Sequence, residues 1–94
     1  MSPAESGLPA EAREDLIRRL RKIEGQTQGI QRMLADGREC REVLNQLASV
    51  RAATHRVSLE LMKYYALSCL RDPGCVDNEQ SVTELIDMLL RVPA

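Results

Sequence analysis

The chain predicts an all-α fold, a three-helix subunit built round a long central helix. Three observations carry this. Tyr64 and Tyr65 are the only aromatic residues, with no Phe or Trp, so the core must be aliphatic, which suits helices packed on helices better than a β-sandwich. Apolar residues recur at steps of three, four and seven, and no strand-like alternation appears. No Gly or Pro falls between Arg38 and Arg71, a stretch that would make a helix roughly 50 Å long. At 94 residues there is room for one small domain, and oligomerisation is a natural way for such a chain to bury more surface.

Each element follows from local signals. Residues 1–8 are small, polar and contain Pro and Gly, and read as a disordered tail ahead of a single domain over 9–94. The first helix spans about 9–36. Glu11, Glu14 and Asp15 suit its positive end, and Leu16, Leu20, Ile23, Ile30 and Leu34 form one stripe, with Ile17 and Met33 beside it. Gly25 and Gly29 lie four apart on a common face and suggest close approach by a helix or by DNA. Gly37 is placed to cap the end. The second helix spans about 38–71, with Val43, Leu47, Val50, Val57 and Leu61 as its main stripe, and Asp72-Pro73-Gly74 ends it. The third spans about 81–91. Ser81 and Glu84 fit a capping box, Leu85, Ile86, Met88, Leu89 and Leu90 supply its apolar face, and Pro93 stops it.

Cys40 and Cys69 stand 29 residues apart in the central helix. That is about eight turns, so both fall on one face, roughly 43 Å from each other. They cannot meet within one chain. They can meet between chains if two copies of this helix pack antiparallel, giving a dimer with two identical dithiol sites: a thiol switch or a soft-metal site at a subunit interface. No apolar run approaches a membrane span and no signal peptide is evident, so a cytoplasmic protein with reduced thiols is expected. Three cysteines also argue against a disulfide framework, and Cys75 reads as an incidental surface thiol. The net charge of −1 conceals segregation: residues 16–71 carry eleven bases against five acids, while both flanks are acidic. A basic middle is compatible with DNA binding despite the overall balance.

The segment Arg19-Leu20-Arg21-Lys22-Ile23-Glu24-Gly25-Gln26 is followed by Gly29-Ile30 and Arg32-Met33, then Cys40-Arg41-Glu42-Val43-Leu44, Gln46-Leu47 and Val50-Arg51-Ala52-Ala53. Over about residues 15–71 this closely resembles the CsoR/RcnR family of bacterial transcriptional repressors. The resemblance implies an antiparallel dimer on the second helices, assembly of two dimers into a disc-like tetramer, and operator binding without a helix-turn-helix. It also implies release when an inducer occupies an intersubunit site.

Copper sensors of that family place a His 25 residues after the first Cys and a second Cys four residues later. Here Cys40 and Cys69 match the cysteines, but Tyr65 stands at the His position. A protonated phenol is a poor partner for Cu(I). A nickel or cobalt sensor would need several histidines, and His55 is the only one; it reads as solvent-facing or near DNA. Two cysteines without the His resemble the persulfide-sensing branch often called CstR, in which reactive sulfur links the two thiols across the interface. Cys40 lies near a helix N-terminus beside Arg38 and Arg41, surroundings that favour thiolate, and Cys69 of a second copy would then resolve the persulfide. Tyr65 would pack over the thiols. The expected function is therefore a DNA-binding repressor released by persulfide or polysulfide, with no cofactor. The alternative is a Cu(I)-responsive repressor using the same Cys40 and Cys69. Outside the family the chain could be a helical thiol-redox enzyme or a metallochaperone; catalysis is disfavoured by the lack of a CxxC pair or a His near the cysteines, and salt-sensitive binding to a specific operator would separate a repressor from either.

Arg18, Arg19, Arg21 and Lys22 cluster on the first helix, and Arg51, Arg56 and Lys63 extend positive charge along the second. Guanidinium groups pair bidentately with phosphate and can read guanine edges. By resemblance, Arg19 and Arg56 match positions implicated in operator binding, and Gln26 belongs to the same surface.

Overall fold

A computed structural model describes residues 8–91, and within them the chain is helical throughout its regular structure: α1 (Ala10–Ala35), α2 (Cys40–Arg71), α3 (Pro73–Val76) and α4 (Glu79–Arg91). Of the expected tail over 1–8, residues 1–7 lie outside the described residues, as does the stop at Pro93, while Leu8 is described and half-buried. The long central helix stands as anticipated, starting at Cys40, two residues later than its earliest expected start. Among the described residues no helix is long and apolar enough to cross a membrane.

α1 ends where the sequence says it should. Gly37 adopts φ +70°, a left-handed conformation that costs a side-chain-bearing residue about 1–2 kcal/mol. Its N–H donates to the Leu34 carbonyl at 3.2 Å, and the Arg38 N–H donates to the Met33 carbonyl at 2.9 Å. These two bonds close the helix and satisfy carbonyls that would otherwise be orphaned. The chain then reverses, and α1 packs along α2. Leu16, Ile30, Val43 and Val57 are buried in the described chain.

The C-terminal part corrects the expectation of three helices. Asp72-Pro73-Gly74 does end α2, but the chain continues at once into the one-turn α3. The Asp72 carboxylate accepts from the Gly74 N–H at 3.0 Å, Pro73 takes the first helical position where its missing N–H costs nothing, and the Asp72 carbonyl accepts from both Cys75 and Val76 N–H at 2.9 Å. The last helix starts at Glu79, not at a Ser81 cap. Asn78 offers its side-chain oxygen upstream of that cap, accepting from Gln80 N–H at 2.9 Å and Ser81 N–H at 3.2 Å. Ser81 is thereby drawn inside the helix, and Glu84 bonds to the Gln80 side chain instead. α4 turns back onto the end of α2, where Leu85 is buried with Met62 and Cys69.

The core of one chain is thin. The described residues measure 55 × 26 × 15 Å with a radius of gyration of 17.3 Å, against about 12 Å for a compact domain of this length. Part of each sequence-derived stripe is uncovered. Leu20 and Leu34 of α1 and Leu47 and Leu61 of α2 are exposed, as are Leu44 at 63% and Leu90 at 81%. Leu44, Leu47, Ala48, Arg51, Ala52 and His55 line an open, mainly apolar groove along α2. Contiguous apolar surface of this kind marks a surface used for association. Gly25 has nothing within 4 Å of where a Cβ would sit, and Gly29 meets only an Arg32 side chain at 4.0 Å, so the close approach expected at this pair is not made within the chain.

Candidate functional site

The cysteines divide between the two ends of α2. Cys40 occupies the first helical position and is an exposed free thiol. Its neighbour Arg38, just ahead of the helix, turns to Glu42 in the first turn of α2, Nε to Oε2 at 2.9 Å, so that guanidinium serves an ion pair rather than standing free beside the thiol. Cys69 sits in the last turns of α2, about 43 Å away by helical rise. It is 6% exposed, under Met62 and Leu85.

Cys75 is not the incidental surface thiol that the sequence suggested. It is half-buried, packs against the Met62–Cys69–Leu85 cluster, and is joined to Cys69 by a disulfide with a Cα–Cα distance of 5.2 Å. The expectation of uniformly reduced thiols is corrected with it. The reason is geometric. The Asp72 cap and the single turn of α3 reverse the chain, so six residues of sequence bring Cys75 back over the end of α2. The Asp-Pro-Gly turn lying between two cysteines six apart was the signal that could have revealed this.

Tyr65 is 44% exposed and lines a groove with Leu8, Leu61, Met62, Tyr64 and Met88. His55 is half-buried, with Nδ1 enclosed and lacking a hydrogen-bond partner. It lies in the apolar groove of α2 rather than out in solvent. Among the described residues no three His, Cys, Asp or Glu side chains gather to hold a metal ion.

The basic residues sort into two faces. Arg19, Lys22 and Gln26, spaced three and four along α1, line a cleft of about 250 Å³ against Ser49 and Ala53 of α2. The Gln26 side-chain oxygen is buried there without a partner. Arg56 lies one turn beyond Ala53 on the same side of α2 and pairs with Glu60, Nε to Oε1 at 3.3 Å. Arg19 also feels the Glu60 charge, so Arg19 and Arg56 share a neighbourhood across the two helices. Arg51, five residues from Arg56, is rotated from it by about 140° round the helix and lines the apolar groove with His55. Lys63 stands over the Tyr64 ring at 5.7 Å.

Asp15 restrains two of these cations. Its carboxylate accepts from Arg19 Nε at 2.9 Å and from an Arg18 terminal nitrogen at 3.3 Å. The Arg19 bond first, then the Arg18 bond, hold its carboxyl below the usual range, and the same contact raises Arg19. Exposed bridges of this kind are worth little, so a phosphate can replace the carboxylate. Asp15→Asn is expected to tighten operator binding a few-fold at low salt, with the gain shrinking as salt rises. Fluorescence anisotropy across a salt series measures both.

Comparison with known proteins places the chain by family. A model of the family described as "Metal-sensitive transcriptional repressor" matches residues 12–91. The copper-sensing transcriptional repressor CsoR of Bacillus subtilis is 38% identical over 77 residues, 81% of this chain and 76% of that protein. The copper-sensing transcriptional repressor RicR of Mycobacterium tuberculosis is 34% identical over 58 residues, 62% of this chain and 60% of that protein. No solved structure matches the chain.

Proposed function

The chain belongs to the metal-sensitive transcriptional repressor family, and from that premise we propose that it holds operator DNA as an oligomer and releases it when reactive sulfur links Cys40 of one copy to Cys69 of another. It is a repressor, not an enzyme. DNA lies across the surface formed by Arg18, Arg19, Arg21, Lys22, Gln26 and Arg56, and a tetramer made of two antiparallel dimers multiplies each contact. The uncovered apolar groove of α2 supports association along this helix. The observation that carries the choice of inducer is Tyr65, a phenol where the resemblance to copper sensors would put an imidazole.

The chemistry runs through thiolates. Cys40, exposed at the start of α2, takes a sulfane sulfur from a persulfide or polysulfide. The thiolate of Cys69 of a second copy attacks Cys40 Sγ of the Cys40–S–SH group, the Sγ–Sγ bond between subunits forms, the outer S–S bond breaks, and hydrosulfide leaves. The bond ties opposite ends of two α2 helices together, and the basic surfaces carried by those helices lose the spacing that fits the operator. This requires Cys69 to be free of Cys75.

One observation favours a second reading, release by Cu(I): both relatives are copper-sensing repressors by name. The donors fit a soft ion in part. Tyr65 offers no imidazole, but Cys75 lies next to Cys69, and once that pair is reduced Cys75 could stand as a thiolate beside Cys69 and Cys40 of a second copy.

Titrating the operator complex with sodium tetrasulfide and, separately, with Cu(I) under reducing conditions distinguishes the two. Tetrasulfide is expected to strip the native protein from DNA and leave a covalent dimer that reductant reverses. Cu(I) is expected to act only after Tyr65→His restores a nitrogen ligand. Release of the native complex by stoichiometric Cu(I), with indifference to tetrasulfide, would overturn the sulfur reading.

A further inference from the structure

Cys69 has two possible partners, and only one belongs to its own chain. Cys40 of a second copy must be delivered by assembly. Cys75 is already in place, 5.2 Å away between Cα atoms, within the usual disulfide range of about 4.4–6.8 Å. The turn that positions it is held by three bonds at 2.9–3.0 Å to Asp72, and the sulfurs lie against a common apolar cluster of Met62, Ala66 and Leu85. A closure that needs no search and no partner has a large advantage of proximity over one between subunits.

We propose that Cys69 and Cys75 form a second, intrasubunit thiol switch, closed by the same sulfane donors, which withholds Cys69 from Cys40 of a second copy and so sets the donor dose at which induction begins. It rests on the sulfur reading above for the identity of its oxidant. Cys75 is the more exposed of the two thiols and receives the donor. Its thiolate attacks the outer sulfur of a persulfide RS–SH, the RS–S bond breaks, and RS⁻ departs with the electron pair. The Cys69 thiolate then attacks Cys75 Sγ of the new Cys75–S–SH group. The Sγ–Sγ bond forms, the outer S–S bond breaks, and HS⁻ leaves. Two thiols have lost two electrons, and the sulfane sulfur has gained them as sulfide.

The closed form has the arrangement seen here, with Cys69 buried beneath α4 and Cys40 left as an unpaired, exposed thiol. In that form Cys40 can carry a persulfide but finds no resolving thiol across the interface. Donor is therefore divided between two closures, and the share taken within subunits, which reductant resets, lowers the yield of cross-linked copies and raises the dose needed to reach a given yield. Only subunits whose Cys69 remains reduced can be cross-linked.

The test uses the full chain, fully reduced, then treated with sodium tetrasulfide, with intact mass, non-reducing electrophoresis and peptide mapping as readouts. Cys40→Ser is expected to remain monomeric on the gel, to lose the mass of two hydrogens, and to yield a Cys69–Cys75 linked peptide. Cys75→Ser, checked against Cys75→Ala, is expected to give more covalent dimer than the native chain and to leave its operator at a several-fold lower dose. Free or merely persulfidated Cys69 and Cys75 in the Cys40→Ser protein would overturn the switch. So would an equal or smaller yield of covalent dimer from both Cys75 variants, which would make Cys75 a relay or a bystander. Operator binding is read separately: if Cys40→Ser closes as expected while the native complex ignores tetrasulfide, the intrasubunit switch stands and the induction reading falls.

Discussion

Cys40→Ser is expected to stay on its operator at tetrasulfide concentrations that remove the native repressor completely. Its helix position is unchanged, and an exposed Cys-to-Ser change at the first turn of α2 disturbs no packing, so DNA affinity before treatment should match the native value. The loss is confined to response. Cys69→Ser should behave differently in kind: Cys40 still accepts sulfane sulfur, so the protein gains mass, but no covalent dimer appears. Operator release and mass measured on the same samples separate loading from cross-linking. Release of Cys40→Ser by tetrasulfide would remove Cys40 from the mechanism.

Charge reversal at Arg19 or Arg56 is expected to abolish operator binding without unfolding the chain. Both guanidinium groups pair with exposed or half-exposed carboxylates on their own helices, so the folding contribution of these pairs is small. Their contribution to DNA is multiplied by the number of subunits engaged. Removing one phosphate-binding guanidinium should lower the slope of log affinity against log salt by about one for each copy on the DNA. Circular dichroism should show an unchanged helix content in both variants. Arg51→Glu supplies the contrast. It changes a residue in the apolar groove of α2, so its first effect should be on subunit association, visible by sedimentation before any DNA is added. Undiminished affinity in both the Arg19 and Arg56 variants would take them off the DNA face.

The legible parts of the fold were those fixed by neighbours in sequence. Gly37 announced the end of α1 because a left-handed residue there needs no Cβ, and the uninterrupted run through α2 left no competing place to stop. Ser81 misled because a capping box is a local pattern, and a better acceptor at Asn78 stood three residues upstream with Gln80 and Ser81 N–H groups both in reach. Cys75 was misread for a different reason. Its partner is reached only through the reversal at Asp72–Gly74, and spacing rules for a continuous helix say nothing about a chain that doubles back. The apolar stripes were legible, but Leu20, Leu34, Leu47 and Leu61 remain exposed in one chain, since periodicity reports which face is to be covered without saying what covers it.

A subunit 15 Å thick in its narrowest dimension with leucines left open along both long helices has a genetic corollary. If folding is completed by identical copies, altered and normal chains made in the same cell will be built into the same particles. An allele that damages only the DNA surface, leaving the leucine faces intact, would then spoil particles containing mostly normal chains, and would behave as dominant. An allele that damages the leucine faces would exclude itself from assembly and behave as recessive. The split between the cleft side and the groove side of α2 thus separates two classes of inheritance along a single helix.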